Sequence, residues 1–244
     1  MPDIVVGSDR SLRITNQNSW AAARDATAST TSLTGMNMVT NRQSSGGKFE
    51  NARTFFAFDT SAIDAAPSSA KIIVRTNNYH TSNIYIVKVQ AGATGDSSTE
   101  FVNSDYDLLQ GFSPGNTMDG NVVTYSSELN PLPHRSVEIT LNAAALLDIA
   151  LLDEFKIAIV GSRDYTNTEP SVGHQTTAFT TSTSTASQRP RLSYVAGTAG
   201  DTPQEKRNKR RRRRSKGARG NGFSVKNVAA AMGGKTVING FIDD

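Results

Sequence analysis

Along residues 1–197, apolar positions recur in short alternating or continuous runs. These are residues 11–15 (SLRIT), 35–40 (GMNMVT), 53–59 (RTFFAFD), 71–76 (KIIVRT), 83–90 (NIYIVKVQ), 121–125 (NVVTY), 136–141 (SVEITL), 155–161 (FKIAIVG) and 191–195 (RLSYV). Turn-forming clusters, SSGG, APSS, SPGN and NPLP, lie between them. Many short strands at this spacing predict an all-β fold, an antiparallel β-sandwich or jelly roll, and not alternating β–α units. Helical periodicity is confined to residues 20–26 (WAAARDA) and 142–152 (NAAALLDIALL). In the second, Asn142 is placed to cap, and Leu146, Leu147, Ile149 and Ala150 share one broad face. A short helix there, just before FKIAIVG, is expected to plug one end of the sandwich.

Composition fits that reading. Of residues 1–197, 24 are Ser and 23 are Thr; threonine suits a half-exposed pleated strand, and serine suits turns and caps. The 244-residue chain is long enough for one domain with a real core plus an appendage. It has no cysteine, which excludes disulfides and Cys-based zinc sites and fits assembly in a reducing cytoplasm. No run approaches the roughly 18 apolar residues needed to cross a bilayer, so no membrane partner is expected. The opening MPDIVVGSDR lacks the cationic start and apolar core of a secretory signal.

Charge divides the chain. Residues 1–197 carry 14 Lys+Arg against 18 Asp+Glu, a net −4, whereas residues 198–244 carry 12 against 4, a net +8. The net +4 of the whole chain is therefore a mildly acidic body joined to a strongly basic arm, and such asymmetry marks where a polyanion would bind. After a Gly/Thr/Pro linker, ten cations stand close together: Lys206, Arg207, Lys209, Arg210, Arg211, Arg212, Arg213, Arg214, Lys216 and Arg219. Like charges at this density repel until DNA or an acidic protein face neutralises them. No aromatic residue interrupts the run, so binding to nucleic acid would be to the backbone and blind to sequence. Beyond a basic linker at 198–222, residues 223–244 regain an apolar pattern through Phe223, Val225, Val228, Met232, Val237, Ile238, Phe241 and Ile242. Twenty-two residues are too few to bury a core of their own. This arm is expected to dock on its own body, a neighbouring copy or a partner, by helix-in-groove or strand addition.

The order of features in the body resembles a known module. An Arg precedes an aromatic strand ending in Phe-Asp (RTFFAFDTSAI), followed by a Pro turn and SSAKIIVRT. Later, FKIAIVGSRDY leads into the polar loop NTEPSVGHQT, a Ser/Thr run and a closing RPRLSYV. Over roughly residues 10–196 this is similar to the DNRLRE-type β-sandwich, a carbohydrate-binding-like module of cell-surface proteins, and to small virion proteins of tailed bacteriophages. The segment FVNSDYDLLQGF, Phe101 to Phe112, stands where the module usually has a Trp-containing stretch.

Candidate chemistry is sparse. His80, His134 and His174 occupy separate polar segments without metal-ligand spacing, and no GxSxG elbow is present. The sequence Gly-Gly-Lys-Thr at 233–236 falls short of a phosphate-binding loop, because Ala229 occupies the position of the first glycine. Asp105 and Asp107 would share one face of an extended strand, an arrangement open to calcium, although a solvated loop is the blander alternative. Asp164, Asn167 and Glu169 offer a similar loop cluster. Arg53 and Asp59 bracket a strand expected to be central, in structural roles, and Trp20 reads as a core residue. Tyr79, Tyr85 and Tyr106 are the aromatic candidates for a sugar-binding row.

Together these features predict a non-enzymatic structural protein without cofactor or metal. The resemblance implies a bacteriophage virion component, whether head, decoration or tail-associated. It would be assembled in the host cytoplasm and pack as a homo-oligomer with other virion proteins, and its basic arm would tether it or face packaged DNA. The alternatives are a glycan-binding adhesion module and a viral coat protein with an Arg-rich nucleic-acid-binding arm.

Overall fold

The computed structural model describes residues 1–33, 35–77, 82–173 and 176–197. The arm at 198–244, with every basic and docking residue named above, lies outside the described residues, as do Tyr79, His80 and His174. Eleven strands are described: β1 (Asp3–Val5), β2 (Ser8–Gln17), β3 (Thr31–Leu33), β4 (Asn37–Gln43), β5 (Phe49–Asp59), β6 (Ser69–Arg75), β7 (Ile84–Lys88), β8 (Ser136–Thr140), β9 (Glu154–Gly161), β10 (Thr176–Phe179) and β11 (Arg191–Val195). Three short helices join them: α1 (Trp20–Arg24), α2 (Ala143–Leu151) and α3 (Ser162–Thr166). The strands pair antiparallel in two sheets, as the sequence predicts. One has the order β1-β11-β6-β8; the other has seven strands, with β10-β4-β5-β2-β3 in line, β9 on β5 and β7 on β9.

Strand β5 organises the larger sheet. Along one side it pairs with β2 from Ser8↔Ala57 to Gln17↔Phe49. Its other side is divided: Glu50–Ala52 pair with β4, and Thr54–Asp59 pair with β9. The sheet branches where β9 ends at Gly161, which approaches the Asn41 side chain of β4 so closely that a Cβ there would overlap it. Glycine permits this contact because it has no side chain to displace.

Burial explains why β5 reads FENARTFFAFD and not as an alternation. All its residues except Asp59 are buried, because both faces of the sheet are covered. Phe56 and Phe58 enter the core between the two sheets with Ile72, Val74, Ile84, Ile86, Phe155, Ile157 and Ile159. Phe55 and Ala57, with Leu12, Ile14, Val87, Ala158 and Val160, enter a second core on the opposite face. The residues closing that core include Phe101, Tyr106, Leu109, Met118 and Val122, from the long excursion between β7 and β8, and Trp20 and Tyr165 from α1 and α3. The body is thus a sandwich with a third, largely irregular layer on its larger sheet.

Three local expectations change. Residues 121–125 form a single bridge, Val87↔Thr124, and not a strand, because the Asn121 and Val122 amides turn back to the Met118 carbonyl at 3.1 and 2.8 Å. The loop after β9 begins with α3, which ends on Asn167 in the left-handed conformation. The Ser/Thr-rich stretch near 176–180 yields β10, which pairs with β4. The helix expected at 142–152 is present as α2: Asn142 caps it by accepting from the Ala145 amide at 3.1 Å, and Ala145 and Ile149 close the inter-sheet core.

Candidate functional site

The densest polar cluster lies inside the second core. Arg53, on the same face of β5 as Phe55 and Ala57, is fully buried, as are Arg24 and Asp164. Its guanidinium clasps the Asp164 carboxylate through Nε at 2.7 Å and through a terminal nitrogen at 3.0 Å. It also donates to the carbonyls of Tyr106 at 2.9 Å and Arg24 at 3.0 Å. Rings of Tyr106 and Phe112 pack against it, with centroids 4.3 and 4.6 Å from Cζ. Arg24 approaches the same carboxylate at 3.3 Å and donates to the carbonyls of Asp164 at 2.9 Å and Asn116 at 2.7 Å, and to Asp25 at 2.6 Å.

The network extends towards the branch of the sheet. The Tyr106 hydroxyl donates to the Ala23 carbonyl at 2.9 Å and accepts from the Asn51 amide at 2.8 Å; Asn51 in turn accepts from Asn41 at 2.7 Å. Desolvation by burial would lower the pKa of Arg53, but the facing Asp164 carboxylate, with Tyr106 and Asp25, leaves it raised. Two guanidinium groups and the carboxylates of Asp164 and Asp25 balance in charge, as buried ions require. With donors spent on protein acceptors and ring faces against it, Arg53 is a clamp. It joins β5 to α1, α3 and the excursion, in the structural role expected of it.

The expected cation sites take other forms. Asp105 and Asp107 do not share a strand face, because residues 103–105 form a 3₁₀ turn. The buried Asp105 carboxylate accepts from the amides of Thr94, Gly95 and Val102 at 2.8, 3.3 and 2.9 Å. Asp107 is partly exposed, and burial raises its pKa. Asp164 is committed to the arginines, and Asn167 donates to the Gly115 carbonyl at 2.9 Å. Glu169 offers its backbone carbonyl to Arg163 at 2.9 Å. Among the described residues no group of three or more His, Cys, Asp or Glu could hold a metal ion, and no helix is long and apolar enough to cross a membrane.

The expected aromatic row is also rearranged. Tyr106 is buried in the clamp, which removes it from any exposed row, and Trp20 lies in the second core as expected. Tyr85 instead stacks on Tyr165 with centroids 3.9 Å apart and planes inclined by 12°. The Tyr165 hydroxyl bonds to that of Thr124 at 3.0 Å. A polar depression of about 450 Å³ is lined by Ser82, Asn83, Glu128 and Ser162, with Arg163, Thr166 and Thr168. The pattern of residues singles out Tyr85 but not the depression, whose hydroxyls come from Ser82 before β7 and from α3 and Thr168 just after it, far apart in the chain.

Compared with known proteins, the chain matches no family model and no curated protein.

Four buried or half-buried tyrosines give the body a predicted alkaline limit. Burial, with the neighbouring Glu128 carboxylate, pushes Tyr85 up to about 12; burial also raises Tyr106, Tyr125 and Tyr165. A phenol whose pKa is higher in the folded than in the unfolded chain stabilises the fold fully below its unfolded value near 10. That contribution is lost as pH rises through the folded value. Stability should therefore be level on this account up to about pH 10 and fall from there towards 12. Tyrosinate absorbance should rise together with the loss of far-ultraviolet circular dichroism. Titration of these four phenols near pH 10 with the fold intact would contradict the burial argument.

Proposed function

We propose that the protein is a non-enzymatic structural component of a bacteriophage virion. Its sandwich body packs against other virion proteins and copies of itself, and its basic arm tethers it to packaged DNA or an acidic protein face. The observation that carries this reading is the charge division, −4 over residues 1–197 and +8 over 198–244. A polyanion-seeking arm that continues into an apolar terminal segment suits a tether better than a free tail. The burial of the Arg53 clamp adds support, since the strongest charges in the body hold layers together and face no open site. The virion attribution comes from the resemblance of the body to small phage proteins.

A salt titration tests the tether. With about half of the ten cations on duplex phosphates, log affinity should fall with log salt at a slope of roughly −4 to −5. Replacing those ten residues by Gln in the full-length chain should flatten the slope and abolish binding. Affinity unchanged between low and high salt would remove the electrostatic tether.

The polar depression, whose Glu128 also bonds the Tyr85 side chain, favours a second reading, a glycan-binding adhesion module. That reading requires glycan-array binding by the full-length protein that is lost in Tyr85→Ala. A monomeric, glycan-binding chain would displace the virion assignment.

A further inference from the structure

We propose that the outer face of α2 receives the C-terminal arm of a second copy of this chain, two copies exchanging arms end to end. The proposal rests on the assembly reading above and names the surface that would serve it.

Helix α2 is apolar on all sides. Ala145, Ile149 and Ala150 are buried against the body, while Ala143 and Ala144 are exposed, Leu147 is 52% exposed and Leu151 is half-buried. Its one charged residue, Asp148, is occupied by Lys88 at 2.7 Å and by the Tyr125 hydroxyl. A helix without a polar face belongs between two layers, and the body supplies one of them. Asp153 follows the helix directly, Asp59 pairs with Glu154 in the β5–β9 register, and Asp64 lies in the β5–β6 loop. All three are exposed, and residues 54–70 and 136–155 contain no Lys or Arg.

The chain leaves the described body at this same end. The Val195 carbonyl accepts from the Ser68 amide at 3.0 Å, and Gly197 lies against the Ala66 carbonyl. That β5–β6 loop is tied to the end of α2, Thr60 donating to the carbonyls of Asp153 at 2.9 Å and Leu152 at 2.7 Å.

The sequence beyond residue 197 matches the face in two respects. The ten cations of 206–219 complement the acidic rim, and Phe223, Val225, Val228 and Met232 complement the apolar stripe. The 25 residues of 198–222 can reach at most about 85 Å, enough to cross between two bodies meeting at these ends. Exchange of identical elements is a low-cost route to a symmetric dimer. Two arms of 22 residues also approach the roughly 20–30 residues per side of a stable interface.

Cysteine pairing tests this directly, because the chain has no cysteine of its own. Full-length protein carrying Leu147→Cys and Val228→Cys should form a covalent dimer on mild oxidation. A covalent monomer would mean that each arm closes on its own body, and absence of a disulfide would mean that the face takes a different partner. Either result overturns the exchange. In sedimentation, Leu147→Lys in the full chain should weaken the dimer by about tenfold or more with unchanged circular dichroism. Undiminished association in that variant would overturn this surface and leave the assembly reading intact. A wild-type chain that stays monomeric at every concentration would remove the assembly reading itself.

Discussion

Asp164→Ala is expected to cost about 3–5 kcal/mol of folding stability, a large share of the roughly 5–15 kcal/mol that holds a typical domain together. The substitution leaves the guanidinium groups of Arg53 and Arg24 buried without the carboxylate that both approach. Neither can reach water without opening the second core, where the rings of Tyr106 and Phe112 pack on Arg53. Arg53→Met should be milder, because Arg24 still faces Asp164 and the methionine fills much of the vacated space. Urea unfolding followed by circular dichroism would measure both. An unfolding free energy for Asp164→Ala within about 0.5 kcal/mol of wild type, the range of an ordinary surface change, would show that the clamp does not hold the layers.

The second large effect belongs to the other core. Phe155 pairs with Phe58 across β5 and β9 and packs on Tyr125, with ring centroids 5.4 Å apart. Phe155→Ala removes a ring from a fully buried position, at an expected cost of about 3–5 kcal/mol. Phe155 and Asp164 face opposite sides of the larger sheet and share no partner, so their penalties should add in the double variant. A shortfall of more than about 1 kcal/mol from additivity in that cycle would mean that the two cores respond as one.

Much of this fold is legible in the chain because most strands carry their own apolar runs. RTFFAFD and FKIAIVG are recognisable as buried strands, and NAAALLDIALL carries its cap. Its expected face is only partly right, because Leu147 is exposed and Ala145 is buried with Ile149 and Ala150. The excursion between β7 and β8 is less legible. NVVTY has the alternation of a strand, yet hydrogen bonds from the Asn121 and Val122 amides to the Met118 carbonyl turn it away from one. Asp105 and Asp107 look like alternating carboxylates of a strand, but the Asp105 side chain folds back on the Val102 amide and makes a turn. The clamp is the least legible feature. Arg53 and Asp164 are 111 residues apart, and nothing local to either specifies the other. The one signal was the oddity of a lone Arg beside an aromatic strand that had to be buried. Likewise, Asp164 stands among polar loop residues that suggest a solvated cluster until α3 carries it into the core. Pairing across the fold, and not local propensity, decided both cases.

The smaller sheet has a consequence for how the protein is made. Strand β11, the last of the body, lies between β1, the first, and β6. Until residues 191–195 have left the ribosome, β1 and the β6–β8 pair have no strand to join them, and each presents a bare edge to other nascent chains. The body must therefore wait in an incomplete state for most of its synthesis. Premature termination between Thr140 and Arg191 would release a chain with two exposed edges where the finished protein has a continuous sheet.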